Sequence, residues 1–192
     1  MLVGLGNPGR EHFRTRHNLG FRVVDRLASR LAASFSPGRG RYVLARAAWE
    51  DRILFLLKPL TFMNASGEAV LEAIDRYGFD LTEVLIICDD YQLPLGRLRL
   101  RSRGSDGGHR GLASVIYHLQ SEEVPRLRIG IGPLPEGITS TDFVLGEFAP
   151  SEEEIVEAIL PRAEDGALLY VAEGAMRAMS IINDPAFPDE CE

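Results

Sequence analysis

The feature that most constrains the fold is Val84-Leu-Ile-Ile-Cys88, an unbroken apolar run with Asp89 and Asp90 directly behind it. A strand open to water on one face alternates apolar and polar residues, so a run apolar at every position belongs to a strand covered on both faces. Such a strand needs helices above and below it. The chain supplies them: apolar residues recur at helical spacing over Leu19–Leu31, and helices are expected over Glu68–Tyr77, where Gly78 ends the turn, and from about Gly111 to Leu119. Ser151-x-x-Glu154, behind Pro150, reads as a capping box opening a C-terminal helical region that Pro161 should kink or divide. Further strands are expected at residues 1–5, Tyr42–Ala48, Ile53–Leu57, Arg97–Arg103 and Leu127–Ile131, while Ser36-Pro-Gly-Arg-Gly40 reads as a surface loop.

Strands interleaved with helices predict an α/β fold: a single three-layer domain with a central mixed, mostly parallel sheet flanked by helices. One such domain accounts for residues 1–192, with an irregular tail from about residue 184. No apolar run is long enough to span a bilayer, and the first residues lack the basic head and apolar stretch of a secretory signal. Two cysteines, Cys88 and Cys191, make no disulfide framework, so the chain reads as cytoplasmic.

The net charge of −7 argues against indiscriminate coating of nucleic acid, yet the charge is segregated. Arg97, Arg99, Arg101 and Arg103 fall within seven residues without an acid among them, whereas Glu147–Glu173 is strongly acidic; this segregation predicts steering of an anionic partner to one face. On a strand, a period of two sets Arg97, Arg99 and Arg101 on one side, about 6.7 Å apart, a spacing able to follow backbone phosphates. Arg126 and Arg128 would extend the row from a neighbouring strand.

Gly4-x-Gly6-x-x-Gly9 formally matches a dinucleotide-binding fingerprint, but eleven mostly polar residues intervene before a secure helix, and no strand ends in an acid at the required distance. The four histidines lack a compact metal spacing, and no Gly-x-Ser-x-Gly nucleophile motif occurs. A different constellation carries more chemistry. Asn7, Asn64 and Asp89 each follow a strand, and in a parallel sheet the carboxyl ends of neighbouring strands open on one crevice. Should His17 lie there, Asp89 would accept its Nδ1–H and leave Nε2 free to take a proton from water. The carboxamides of Asn7 and Asn64 could then donate to a developing oxyanion. Taken singly, each of these residues has an ordinary structural explanation as a turn or cap.

Read together, GLGNPG (4–9), TRHNLGF (15–21), KPLTFMNASGEAV (58–70), DD-x-x-LPLG (89–96), GSDGGHRGL (104–112), RLRIGIG (126–132) and FVLGEF (143–148) resemble bacterial peptidyl-tRNA hydrolase along most of the chain. The resemblance implies an enzyme without cofactor or metal, monomeric and without an obligate protein partner. It would cleave the ester joining a stalled peptide to the 3′ end of tRNA. It implies that His17 is the base, that Asp89 orients it, and that Asn7 and Asn64 complete the catalytic set. Substrate contacts would come from His12, Phe62, Met63, Asn64, Gly108, His109 and Arg110, and tRNA phosphates would meet Arg97, Arg99, Arg101 and Arg128 beside the acceptor stem. Three positions depart from the pattern: His12 stands where tyrosine is usual, Arg110 where asparagine is, and Gln92 where aspartate is common. The alternative these departures raise is a non-catalytic RNA-binding relative on the same fold, although pure binding would not need a His17–Asp89 pair.

Overall fold

The computed structural model describes residues 1–184. One seven-stranded mixed sheet runs through it, in the order β2-β3-β4-β1-β5-β7-β6. In chain order the elements are β1 (Leu2–Gly4), α1 (Leu19–Arg30), β2 (Ser36–Pro37), β3 (Tyr42–Trp49), β4 (Arg52–Pro59), α2 (Ser66–Tyr77), β5 (Leu85–Pro94), β6 (Leu98–Arg101), α3 (Arg110–Leu119), β7 (Arg126–Gly132), α4 (Ser140–Leu145) and α5 (Pro150–Ile182). The four central strands β4, β1, β5 and β7 are parallel, and antiparallel pairs close both edges. Ser36 and Pro37, expected in a loop, instead pair with Leu44 and Val43 as a short edge strand, a position that tolerates proline because its missing N–H faces away from the ladder.

The apolar run behaves as its composition requires. Leu85 and Ile87 enter the core beneath α1 and α5, while Ile86 and Cys88 enter the one beneath α2 and α3. All four are buried. The strand continues through Asp89 and Asp90, so these acids belong to its pairing register rather than to a following loop.

The glycines that imitate a nucleotide fingerprint serve packing. A Cβ on Gly4 would lie 2.2 Å from the carbonyl oxygen of Gly20, and one on Gly20 would lie 2.3 Å from that of Ile87. This mutual absence of side chains lets α1 seat directly on β1 and β5, and so brings the turn before α1 close to the sheet's carboxyl edge.

Two expectations for the C-terminal helix need correction. Its cap is Ala149, whose N–H donates to Glu152 Oε2 at 2.7 Å, and Pro150 takes the first helical position; Ser151 and Glu154 lie inside the first turn. Pro161 does not break the helix; the non-helical residue is Gly174 (φ 75°, ψ 175°). Leu160, Ala163 and Ala167 are buried on either side of Pro161, and that packing holds the helix across the lost hydrogen bond. A ladder of ion pairs assists: Arg22 meets Glu153 and Glu157, Arg26 meets Glu164, and Arg30 meets Asp165. Much of the acidic stretch is thus neutralised by α1, so the charge segregated along the sequence is partly cancelled in space. Among the described residues, no helix is long and apolar enough to cross a membrane.

Candidate functional site

Because β4, β1 and β5 are parallel neighbours, their carboxyl ends open on one cleft of about 220 Å³. Asn7, Asn64, Asp89 and His17 all line it. His17 arrives on a single 3-10 turn, Arg16–Asn18, immediately ahead of α1. Its Nδ1 lies 2.9 and 3.0 Å from the two oxygens of Asp89, and both side chains are buried. A carboxylate only accepts, so Nδ1 is the donor, and in the neutral ring the lone pair is then on Nε2.

Asp89 has a second histidine. The backbone N–H of Leu112 donates to His109 Nδ1 at 3.1 Å, which places that ring's proton on Nε2, and Nε2 donates to Asp89 Oδ1 at 3.1 Å. The two imidazoles stand 4.7 Å apart, centroid to centroid, tilted by 51°. Burial pushes the Asp89 carboxyl up, but His17 and His109 more than offset it and hold the group well below the usual carboxylate range. The acid therefore stays ionised as a fixed orienter. His17, Asp89 and His109 are also the one group among the described residues whose donor atoms could gather a metal ion, all within 4.8 Å of one another. Binding one there would require giving up both N–H···O bonds that define the dyad.

Asn7 is oriented from both ends. Its Oδ1 accepts the N–H of Met63 at 2.9 Å, which turns Nδ2 into the remaining donor, while its backbone N–H and carbonyl are both bonded to the Asn18 side chain. Asn64, on the next 3-10 turn, is exposed at the cleft wall. The cleft thus brings together an imidazole, the carboxylate bonded to it and two carboxamides, groups whose chemistry suits attack of water on a carbonyl carbon.

A model of the family described as peptidyl-tRNA hydrolase matches residues 1–190. The chain belongs to the peptidyl-tRNA hydrolase family. It is 42% identical to the peptidyl-tRNA hydrolase of Chlorobium limicola over 187 residues, covering 97% of this chain and 98% of that one. It is 44% identical to that of Chloroflexus aurantiacus over 184 residues, covering 95% and 98%. The crystal structure of the Acinetobacter baumannii peptidyl-tRNA hydrolase superposes with a TM-score of 0.90 at 32% identity, covering 98% of this chain and 95% of that one.

Within this peptidyl-tRNA hydrolase fold, Phe62, Met63, Gly108, His109 and Arg110 join the cleft wall, with Phe62 65% exposed at its rim. His12 is not brought to that wall; it stands beside Glu11, its Nε2 3.9 Å from the carboxylate. Gln92, where an acid is common, donates Nε2 to the carbonyl of Gly107 at 3.0 Å, a bond an aspartate could not make. Arg99 and Arg101 are exposed and line, with Arg103, Arg126 and Arg128, a second concavity of about 430 Å³; Arg97 is exposed but outside it. Arg126 cannot extend the phosphate row as expected: it is fully buried and donates to the carbonyls of Val124, Gly104, Ser105 and Glu122.

Sequence reasoning missed three contributors. Asn18 fastens the Asn7 loop. Arg16 is buried between the rings of Phe143 and Phe148, 4.5 and 5.0 Å from their centroids, and pairs with Glu152. Helix α4 supplies Ser140, Thr141, Val144 and Leu145 to the cleft wall. The one signal for the last was the motif FVLGEF, which named the segment without placing it.

Proposed function

We propose that this chain hydrolyses the ester between a peptide and the 3′ end of tRNA, with water activated by His17. The observation that carries the reading is the buried Nδ1–H···Asp89 bond, which dedicates Nε2 to proton abstraction at the cleft. Asn7 Nδ2 and the Asn64 carboxamide would donate to the oxygen of the tetrahedral intermediate, and His17 would return its proton to the departing ribose hydroxyl. Phe62, Met63, Gly108, His109 and Arg110 would bind the 3′ end and acyl group, while Arg99, Arg101 and Arg128 would contact acceptor-stem phosphates. In this reading the protein works as a single-domain monomer in the cytoplasm, where peptidyl-tRNA accumulates. An assembled base and orienter favour this over a non-catalytic RNA-binding role.

The test is turnover of N-blocked aminoacyl-tRNA by wild type and His17→Ala. A general base contributes about 10²–10⁴-fold, so the variant should lose at least the lower figure in kcat with KM little changed. A variant that retains near-normal turnover removes His17 from the mechanism.

A further inference from the structure

Among the described residues, Arg128 is the one cation that faces both concavities, the catalytic cleft and the arginine-lined groove behind it. On β7 it is paired in register with Arg99 of β6 on one side and with Cys88 of β5 on the other. Its side chain is mostly buried, and its guanidinium is already engaged on the cleft side. Nη1 donates to Asp90 Oδ2 at 3.2 Å and Nη2 to the carbonyl of Ser105 at 3.0 Å. A guanidinium has five N–H groups, so donors remain for a third partner.

Both existing partners lead to Asp89. Asp90 is its chain neighbour and is buried; its other oxygen accepts the N–H of Gln92 at 2.8 Å. Ser105 belongs to the glycine-rich loop that delivers His109, the second donor to Asp89. Gln92 closes the circuit by donating to Gly107 of that loop. The Nη1–Asp90 contact is longer than the roughly 2.7–2.9 Å of a tight charge-assisted pair, which leaves slack to be taken up. Beside Arg128 stand Arg126, which it repels, and the exposed Arg99 and Arg101. An anion in the groove would relieve that repulsion.

Resting on the hydrolase reading, we propose that Arg128 is a positioning residue that couples tRNA docking to catalysis. A backbone phosphate held in the groove by Arg99 and Arg101 occupies the remaining N–H groups of Arg128. The immobilised guanidinium then fixes Asp90 and Ser105, and through them both supports of the Asp89 carboxylate. Arg99 and Arg101 only hold the phosphate; Arg128 also transmits its arrival. Ester bonds presented without the tRNA body should therefore meet a less ordered dyad.

The experiment compares kcat for N-blocked aminoacyl-tRNA with kcat for the same N-blocked amino acid esterified to the 3′ hydroxyl of adenosine. Wild type should favour the tRNA ester by about 10-fold or more in kcat, within the 5–150-fold typical of coupled sites. Arg128→Gln and Asp90→Asn should each bring that ratio close to one, whereas Arg99→Gln and Arg101→Gln should raise KM for the tRNA ester and keep the ratio. Arg128→Lys, which keeps the charge but not the fork, should hold the salt dependence of KM and still lose the ratio. Thermal melts identify any variant that fails to fold, and Asp90→Asn tests the coupling without altering the groove. If Arg128→Gln behaves like Arg99→Gln, or if Asp90→Asn leaves the ratio intact, Arg128 is a phosphate contact and nothing more. A wild-type ratio of one overturns the coupling alone, while absence of tRNA-ester cleavage overturns the hydrolase reading itself.

Discussion

Replacing Arg126 with methionine should destabilise the protein substantially, because the side chain is buried and holds several loop carbonyls. The side chain is 1% exposed and makes no ion pair among the described residues. Its charge is balanced instead by four carbonyl dipoles, at 2.5 Å (Val124), 2.6 Å (Gly104), 3.2 Å (Ser105) and 3.3 Å (Glu122). Burial, and then the neighbouring Arg128, lower its proton affinity, so the cation is held against a cost. Hydrogen bonds from charged donors are worth about 1.5–3 kcal/mol each, and a carbonyl stranded in the interior costs about 1–3 kcal/mol. The Val124 bond is buried and is lost outright, while the other three carbonyls lie in loops that can turn partly to water. Removing the cation also removes its desolvation cost. The balance is about 3–4 kcal/mol, near the range for breaking buried charge interactions. For a chain of this length it corresponds to a fall of roughly 6–16 °C in Tm, taking about 2–4 °C per kcal/mol. Urea unfolding monitored by circular dichroism measures it directly, and Arg126→Lys should fall between the two because one ammonium cannot serve four acceptors spread over two loops. Activity should decline as well, since Gly104 and Ser105 begin the loop that sets His109 against Asp89. A loss below about 1 kcal/mol at unchanged m-value would show that these carbonyls are satisfied without the guanidinium, and would refute the scaffold role.

Gly20→Ala should fail through a different cause: its methyl group would fall 2.3 Å from the Ile87 carbonyl oxygen and 2.5 Å from the Leu5 nitrogen, both backbone atoms that cannot step aside. A destabilisation of about 3 kcal/mol or more follows, with α1 lifted from the sheet and His17 drawn away from Asp89; a melt within 2 °C of wild type would contradict it. Cys88 is 1% exposed, and burial, followed by the adjacent Asp89 carboxylate, pushes its thiol far above the usual cysteine range. In a Cys191→Ser background it should therefore resist a disulfide reagent at pH 8–9 in the native state and react fully in denaturant. Rapid native-state labelling would show that this strand opens.

What could be read in the sequence follows from how local each cause is. The covered strand, which starts at Leu85 within the apolar run, and the left-handed cap at Gly78 (φ 71°) depend on neighbouring residues, although the strand also runs on past Cys88 to Pro94. The convergence of Asn7, Asn64 and Asp89 needed one added assumption, that three strands are parallel neighbours, and the sheet order meets it. Arg126 was misjudged because a period of two gives the side of a strand and not the distance to an edge. At the first residue of β7 the side chain lies under a loop, and its N–H groups go to backbone carbonyls instead of being offered to the groove. Arg16 was missed because its partners, Phe143, Phe148 and Glu152, are more than a hundred residues away, where no local pattern could indicate them. Pro161 misled for the same reason: its penalty is local, while the contacts that outweigh it belong to α1 and the sheet.

The α1–α5 ladder has a consequence for how the chain is made. Its ion pairs join residues separated by 131 to 138 positions. At about 5–20 residues per second, a nascent α1 leaves the ribosome on the order of 10 s before its α5 partners are synthesised. During that interval the sheet can gather beneath it, but the cover that α5 lends to the α1 face is still missing. The half-built intermediate displays an apolar and cationic helix to whatever is nearby. A chaperone that favours such stretches would find its window there, and any interruption of synthesis before residue 150 would leave that window open.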